Sequence, residues 1–415
     1  MRRFPVLFPA LAACVTSAAC ERGAADAPPP LAGPVVLTTP AAPGSAEPNL
    51  STGPDGRVHL SWLEPSDSAW MLRFSVLEDG TWSPPRTIAS GADWFVNWAD
   101  FPSMIQLGDG SLVAHWLQRN GAGTYAYGVR IARSTDGGET WSTPVTPHDS
   151  TPAEHGFVSL YDAGAGNVGA VWLDGRRYAA GDEVMTLRHA VVAPDGSLGG
   201  EHEIDARVCD CCQTSVVQSD GRLLVFYRDR SEQELRDIGV ATLEDSAWGQ
   251  PVTLHDDGWQ IDACPVNGPQ ADARGSSVAI AWFTAAQEEP RVNVAFSSDG
   301  GRTFSAPVRV DDGAPAGRVD LLMAEDGSAI VSWLERVEGA AEVRLRHVVP
   351  GGGMSRPLTV SRTGAERASG FPRMAFSGSD VVLAWTAAGG AAAADGASTV
   401  VHTARVELPA ATGGR

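Results

Sequence analysis

Along the chain, short apolar runs come in pairs around an Asp-Gly turn, and the second run of each pair carries a large aromatic. Asp55-Gly56 leads to Trp62, Asp109-Gly110 to Trp116, Asp220-Gly221 to Phe226-Tyr227 and Asp326-Gly327 to Trp333. Asp-Gly between apolar runs is the signal of a tight β-hairpin. The aromatics in this place are Trp62, Trp116, Trp172, Tyr227, Trp282, Trp333 and Trp385, spaced by 54, 56, 55, 55, 51 and 52 residues. Steps this even mean seven copies of one unit.

Each hairpin is followed by a third apolar run, as at 72–77, 129–134, 187–192, 292–297 and 343–348. A short fourth run often follows a proline: Pro144-Val145, Pro251-Val252, Pro307-Val308 and Pro357-Leu358. Four antiparallel strands in about 53 residues describe a propeller blade, which buries its two faces only by stacking on its neighbours. The fold class predicted is therefore all-β, a β-propeller of about seven four-stranded antiparallel blades, with six as the alternative count. The last unit lacks an outer strand, and Pro34-Val35-Val36-Leu37-Thr38 precedes the first unit. That segment is expected to complete the C-terminal blade and close the ring.

Composition narrows the chemistry. The 415 residues carry a net charge of -19, against the basic footprint that nucleic acid requires, so no nucleic-acid partner is expected. All 31 basic residues are arginine. This excludes Schiff-base and phosphate-loop lysines and leaves any anion clamp to guanidinium groups. Arg2 and Arg3 followed by an apolar stretch to Ala19 read as an export signal, too short for a membrane span. Ser17-Ala18-Ala19-Cys20 resembles a lipoprotein cleavage site, with Leu11-Ala12-Ala13-Cys14 and a plain secretory signal as alternatives. Residues 1–19 are thus expected to be a lipoprotein-type signal peptide and Cys20 the lipidated residue. Residues 20–33 would be a tether, 34–409 the propeller and 410–415 a tail. The protein is expected in the bacterial envelope or secreted, as a monomer that touches the membrane only through its lipid anchor.

Two turns carry a sharper signature. Ser134-Thr135-Asp136-Gly137-Gly138-Glu139-Thr140-Trp141 fits S-x-D-x-G-x-x-W, and Ser297 to Phe304 fits it with phenylalanine last. Both fall between a third and a fourth run. The chain resembles the BNR/Asp-box propellers of the sialidase-like superfamily, in which such turns are structural and lie away from the active site. Sialidases hold a substrate carboxylate with three arginines and use a Tyr/Glu pair and an acid aspartate. By that resemblance Arg318 and Arg373, with Arg176 or Arg228, would hold substrate. The chain departs from the family in having no F-R-I-P segment, no tyrosine after Tyr227 and seven units rather than six. The resemblance therefore implies a diverged site.

In such a ring, the connection into each innermost strand and the loop after each second strand share one face. The first group includes Trp98, Asp100, Glu154, Asp262, Asn267, Arg318, Asp320 and Arg373. The second includes Arg176, Arg228 and Asp229. Cys209-Asp210-Cys211-Cys212 and Cys264 precede the innermost strands of consecutive units, so their sulfurs should meet at the channel mouth. Two disulfides, a thiolate site for zinc or copper(I), and a free redox thiol are all compatible with them. The cofactor is otherwise unspecified.

Three functions follow as expectations. The first is a binding site for a small molecule, glycan or metal ion, using Arg176, Arg228, Asn267, Arg318 and Arg373, with Cys209, Cys211, Cys212 and Cys264 shaping or metallating the mouth. A glycoside hydrolase or related lyase using Asp229, Asp262 or Asp320 is the second. The third is a protein-assembly scaffold.

Overall fold

The computed structural model describes residues 27–388 and 399–409. The proposed signal peptide, Cys20 and the 410–415 tail lie outside the described residues. Alternating apolar positions and hairpin turns generate seven antiparallel sheets around a central channel. Blade 3 shows the pattern: His155–Gly164 innermost, then Asn167–Asp174, Met185–Val192 and His202–Val208. Blades 1, 4, 5 and 6 repeat it from innermost strands Ala46–Thr52, Ser215–Ser219, Gln270–Arg274 and Pro315–Met323.

The seventh blade is Arg373–Ser377, Asp380–Ala388 and Thr399–Glu407, completed by Val35–Leu37 from the other end of the chain. Val35, Val36 and Leu37 face Arg405, Ala404 and Thr403 in an antiparallel register. The ring thus closes as the sequence led us to expect. Blade 2 departs from the four-strand pattern: Ser103–Gln106, Leu112–Arg119 and Tyr127–Ser134 form three strands, and only Val145 bridges to Ile131 as a fourth. Pro144 and Pro147 flank that bridge, and proline cannot donate to a ladder.

The interior is divided among the blade interfaces. Among the described residues seven apolar clusters form, each shared mainly by two adjacent blades. The periodic aromatics sit in these clusters; Trp62, Trp172, Trp282 and Trp333 are fully buried. Their indole N–H groups need acceptors. Trp62 donates to Glu64 at 2.9 Å, Trp172 to Asp174 at 2.8 Å and Trp333 to Glu335 at 2.6 Å. Residues two apart on a strand share a face, which is why the acid stands at that spacing. Glu64, Asp174 and Glu335 therefore serve the blade interior.

The two S-x-D-x-G-x-x-aromatic turns share one bonding pattern. Asp136 accepts from the Thr140 amide at 3.0 Å and the Thr140 hydroxyl at 2.6 Å, while Ser134 Oγ accepts from the Gly138 amide. Asp299, Thr303, Ser297 and Gly301 repeat these contacts. Trp141 and Phe304 each pack edge-to-face on a phenylalanine of the preceding blade, Phe74 and Phe226.

Candidate functional site

On the face formed by the inward connections opens a pocket of about 620 Å³. Its walls come from the connections into the innermost strands of blades 2, 3, 4, 5 and 7 and from the loops after the second strands of blades 2 and 3. These are the two classes of connection that the sequence places on one face. Trp98, Phe95, Tyr125 and Tyr178 supply aromatic wall and rim; Tyr125 is 59% and Tyr178 52% exposed. Tyr178 lies on a helical turn, Arg176–Ala180, which ends at Gly181 in the left-handed conformation. Arg367 stands exposed at the rim, its guanidinium 6.0 Å from the Trp98 ring centroid.

Three acidic groups from two blades meet at the pocket floor. The Tyr127 phenol donates to Asp100 Oδ2 at 2.7 Å, and Glu154 Oε1 lies 2.9 Å from the same phenol oxygen. Asp100 Oδ1 accepts from the Phe157 amide at 2.7 Å. A phenol has one hydrogen to give. With three acidic groups in contact and no cation among these contacts, the cluster retains a proton that isolated carboxyls would lose near neutrality. Burial lifts Asp100 to about 7 against its two hydrogen bonds. Glu154 rises to about 8, through burial first, with the charges of Asp100 and Asp210 adding to it. Glu154 is the half-buried member, and Asp100 and Tyr127 are fully enclosed. Asp210, on the same pocket wall, is held by Arg230 at 2.9 and 3.1 Å. The pocket thus presents two carboxyls in unlike company, Glu154 against a phenol and Asp210 against a guanidinium.

The cysteines do converge at this mouth. Cys211 and Cys264 form a disulfide between the blade 4 and blade 5 connections and line the pocket. Cys209 and Cys212 are free and buried behind it. Three sulfurs, of Cys209, Cys211 and Cys212, lie within 4.8 Å of one another. With Cys211 and Cys264 bonded to each other, the four-thiolate set for zinc or copper(I) is reduced to two thiols.

The remaining residues singled out by sequence do not gather in the pocket. Arg228 is fully buried, donating to the backbone carbonyls of Asn267 at 2.9 Å, Phe283 at 2.6 Å and Arg236, with Trp259 under its guanidinium. Asn267 is buried too, accepting the Arg318 amide at 2.7 Å. Arg318 donates to the carbonyls of Gly370 and Glu366 and covers Trp98 at 4.8 Å. Burial brings its guanidinium down to about 10, helped by Arg336. Arg176 is consumed by Asp174, Asp149 and Glu201. These side chains act as struts whose donors are already committed.

Asp320 is likewise a latch: its Oδ2 accepts the Met374 amide of the next blade at 2.7 Å and its Oδ1 the Leu321 amide. Asp262 is exposed. Asp229 opens onto a peripheral groove between blades 3 and 4, beside Tyr227 and Arg230, and burial raises it to about 6. The three aspartates thus occupy three different surroundings. Arg373 lines a channel cavity of about 200 Å³, with its Nε 3.6 Å from Asp320.

Position in the repeat placed Asp100 and Glu154 on this face, and the structure joins them through Tyr127. That tyrosine begins a third strand, a place with no periodic signal. The usable clue was its offset of 27 residues from both Asp100 and Glu154, half the blade repeat on either side.

No family model and no curated protein matches the chain. Among solved structures, a protein of unknown function from Dyadobacter fermentans DSM 18053 is similar with a TM-score of 0.54 and 15% identity, over 91% of this chain and 99% of that one. A PL25 polysaccharide lyase, an ulvan lyase bound to -[GlcA(1-4)Rha3S]-, is similar with a TM-score of 0.53 and 10% identity, over 91% of this chain and 94% of its own. Polysaccharide lyase Uly1 gives a TM-score of 0.49 at 9% identity, over 85% and 88%. At such identities the likeness is one of fold: the chain is a seven-bladed β-propeller whose structural neighbours include glycan-active enzymes.

Proposed function

We propose that the protein is a carbohydrate-active enzyme that binds a saccharide in the mouth pocket and cleaves a glycosidic bond there. The observation that carries this reading is the Glu154–Tyr127–Asp100 cluster at the floor of an aromatic-walled pocket. Glu154 is a carboxyl that keeps its proton near neutral pH, as a general acid for a departing sugar oxygen requires. Asp210, paired with Arg230, is the partner carboxyl that would activate water, take up a substrate proton or steady positive charge. Tyr125 and Tyr178 offer flat faces for sugar C–H groups, and Arg367 a guanidinium for an acidic or sulfated unit. That a similar propeller is an ulvan lyase bound to a glycan containing GlcA and Rha3S supports a glycan as the substrate class.

The test is product formation from a panel of neutral, uronate-containing and sulfated polysaccharides, read by new reducing ends and by absorbance of unsaturated sugars. Turnover by the wild type should fall roughly 100-fold or more in Glu154→Gln, with affinity kept within a few-fold. Cleavage of none of the panel, or an equally active Glu154→Gln protein, would overturn the reading. The exposed aromatic rim also favours a second reading, saccharide binding without turnover. In that case Tyr178→Ala weakens binding to the panel, no product forms, and Glu154→Gln changes nothing.

A further inference from the structure

The disulfide at the pocket mouth is backed by a pair of thiols. Cys209 Sγ lies 3.0 Å from Cys212 Sγ and 4.0 Å from Cys211 Sγ. Cys209 and Cys212 have no solvent contact to speak of, whereas Cys264 is exposed. Sulfur chemistry is thus layered: a buried dithiol, then Cys211, then a sulfur open to the pocket. The ring does not depend on this arrangement for cohesion, since apolar clusters join every pair of blades.

Burial alone would raise the Cys209 thiol. The contact from Cys212, the Cys211 amide, and the nearby Arg236 and Arg228 reverse this and bring it down to about 7, while Cys212 is pushed up. A thiolate of that kind, within reach of a disulfide sulfur, is the attacking group that thiol–disulfide exchange requires.

We infer that the four cysteines form an exchange relay, in which the bond joining the blade 4 and blade 5 connections is passed inward to Cys209 and Cys212. Cys209 thiolate attacks Cys211 Sγ; the Cys209–Cys211 bond forms as the Cys211–Cys264 bond breaks, and Cys264 leaves as a thiolate. Cys212 gives up its proton and attacks Cys209 Sγ, releasing Cys211. The Cys209–Cys212 bond has then replaced Cys211–Cys264, and the two released thiolates take up the two protons that the inner pair gave. No electrons enter or leave, so the step needs no outside oxidant or reductant. Its outcome is to untie the Cys264 segment from the wall that carries Asp210. This holds whether or not the pocket takes a saccharide.

The experiment is a pulse of N-ethylmaleimide on the full chain, quenched in acid and mapped by peptide mass spectrometry. Wild-type protein is first brought to two thiols per chain, with tris(2-carboxyethyl)phosphine if it is purified fully oxidised. Label is expected on Cys264 and Cys211 as well as on Cys209 and Cys212, in proportions that settle with time. In Cys209→Ala, used unreduced with its one bridge, Cys264 labelling should drop at least tenfold. Cys212→Ser keeps the attacking thiolate and should still label Cys264. The wild-type distribution stands as a test even if a variant fails to fold. Label confined to one pair at all times, Cys264 labelled equally in Cys209→Ala, or thiols that react only after a chelator strips a bound metal would each overturn the relay.

Discussion

Tyr127 and Glu154 meet through oxygens 2.9 Å apart, and the same phenol oxygen lies 2.7 Å from Asp100 Oδ2, so one phenol hydrogen serves two carboxyls. The second hydrogen has to come from a carboxyl, which ties the protonation of Glu154 and Asp100 to the geometry of the site.

That coupling has a pH signature. Asp100 and Glu154 rise from 3.8 and 4.5 to about 7 and about 8 on folding. The folded chain then binds more protons than the unfolded chain in between, so the stability contributed by the cluster is fully present below pH 4 and is lost as pH climbs through 7 to 8. Urea unfolding at several pH values should show wild type losing ground to Glu154→Gln by about 1 kcal/mol per pH unit between pH 5 and 8. A pH-independent difference would mean that Glu154 is ionised in the fold.

The Cys211–Cys264 bridge closes a loop of 53 residues. Loop-closure entropy for that length corresponds to about 4 kcal/mol at 25 °C. The double variant Cys211→Ser/Cys264→Ser should lose about 2–4 kcal/mol by chemical denaturation while keeping its far-ultraviolet circular dichroism.

Arg228 separates a ligand residue from a strut. Its guanidinium satisfies three buried carbonyls, so Arg228→Met should cost about 3–5 kcal/mol by leaving acceptors unpaired. Saccharide affinity of the fraction that still folds should be unchanged. A stable Arg228→Met protein that loses affinity would restore this residue to a binding role.

Removing residues 27–38 strips Val35–Leu37 from blade 7 and bares the edge of Thr399–Glu407. Unpaired edges recruit other chains. The truncated protein should melt at lower temperature than the full chain and elute as larger species on size-exclusion chromatography, in a concentration-dependent way.

The ring was readable because it is written in every repeat: Trp62, Trp172, Trp282 and Trp333 each fill the interface with the preceding blade, and a periodic demand leaves a periodic trace. The site has no such redundancy. Arg228 and Arg318 sit where chains usually carry solvated charge, and nothing local says that Trp259 and Trp98 lie beneath their guanidinium groups. Asp320 resembles a ligand acid in the sequence because the amide that claims it, that of Met374, lies 54 residues on. Cys209 to Cys212 and Cys264 were placed correctly at one rim by blade position, but position cannot say which sulfur bonds to which.

The bond between Thr403 and the carbonyl of Leu37 spans 366 residues of sequence. On a ribosome, the segment made early waits for the segment made late. Six blades can stack as they emerge, and the seventh stays a half-finished sheet until Thr399–Glu407 has been made. A chain that stopped before Thr399 would leave Val35–Leu37 with no strand to pair with and the ring without its clasp.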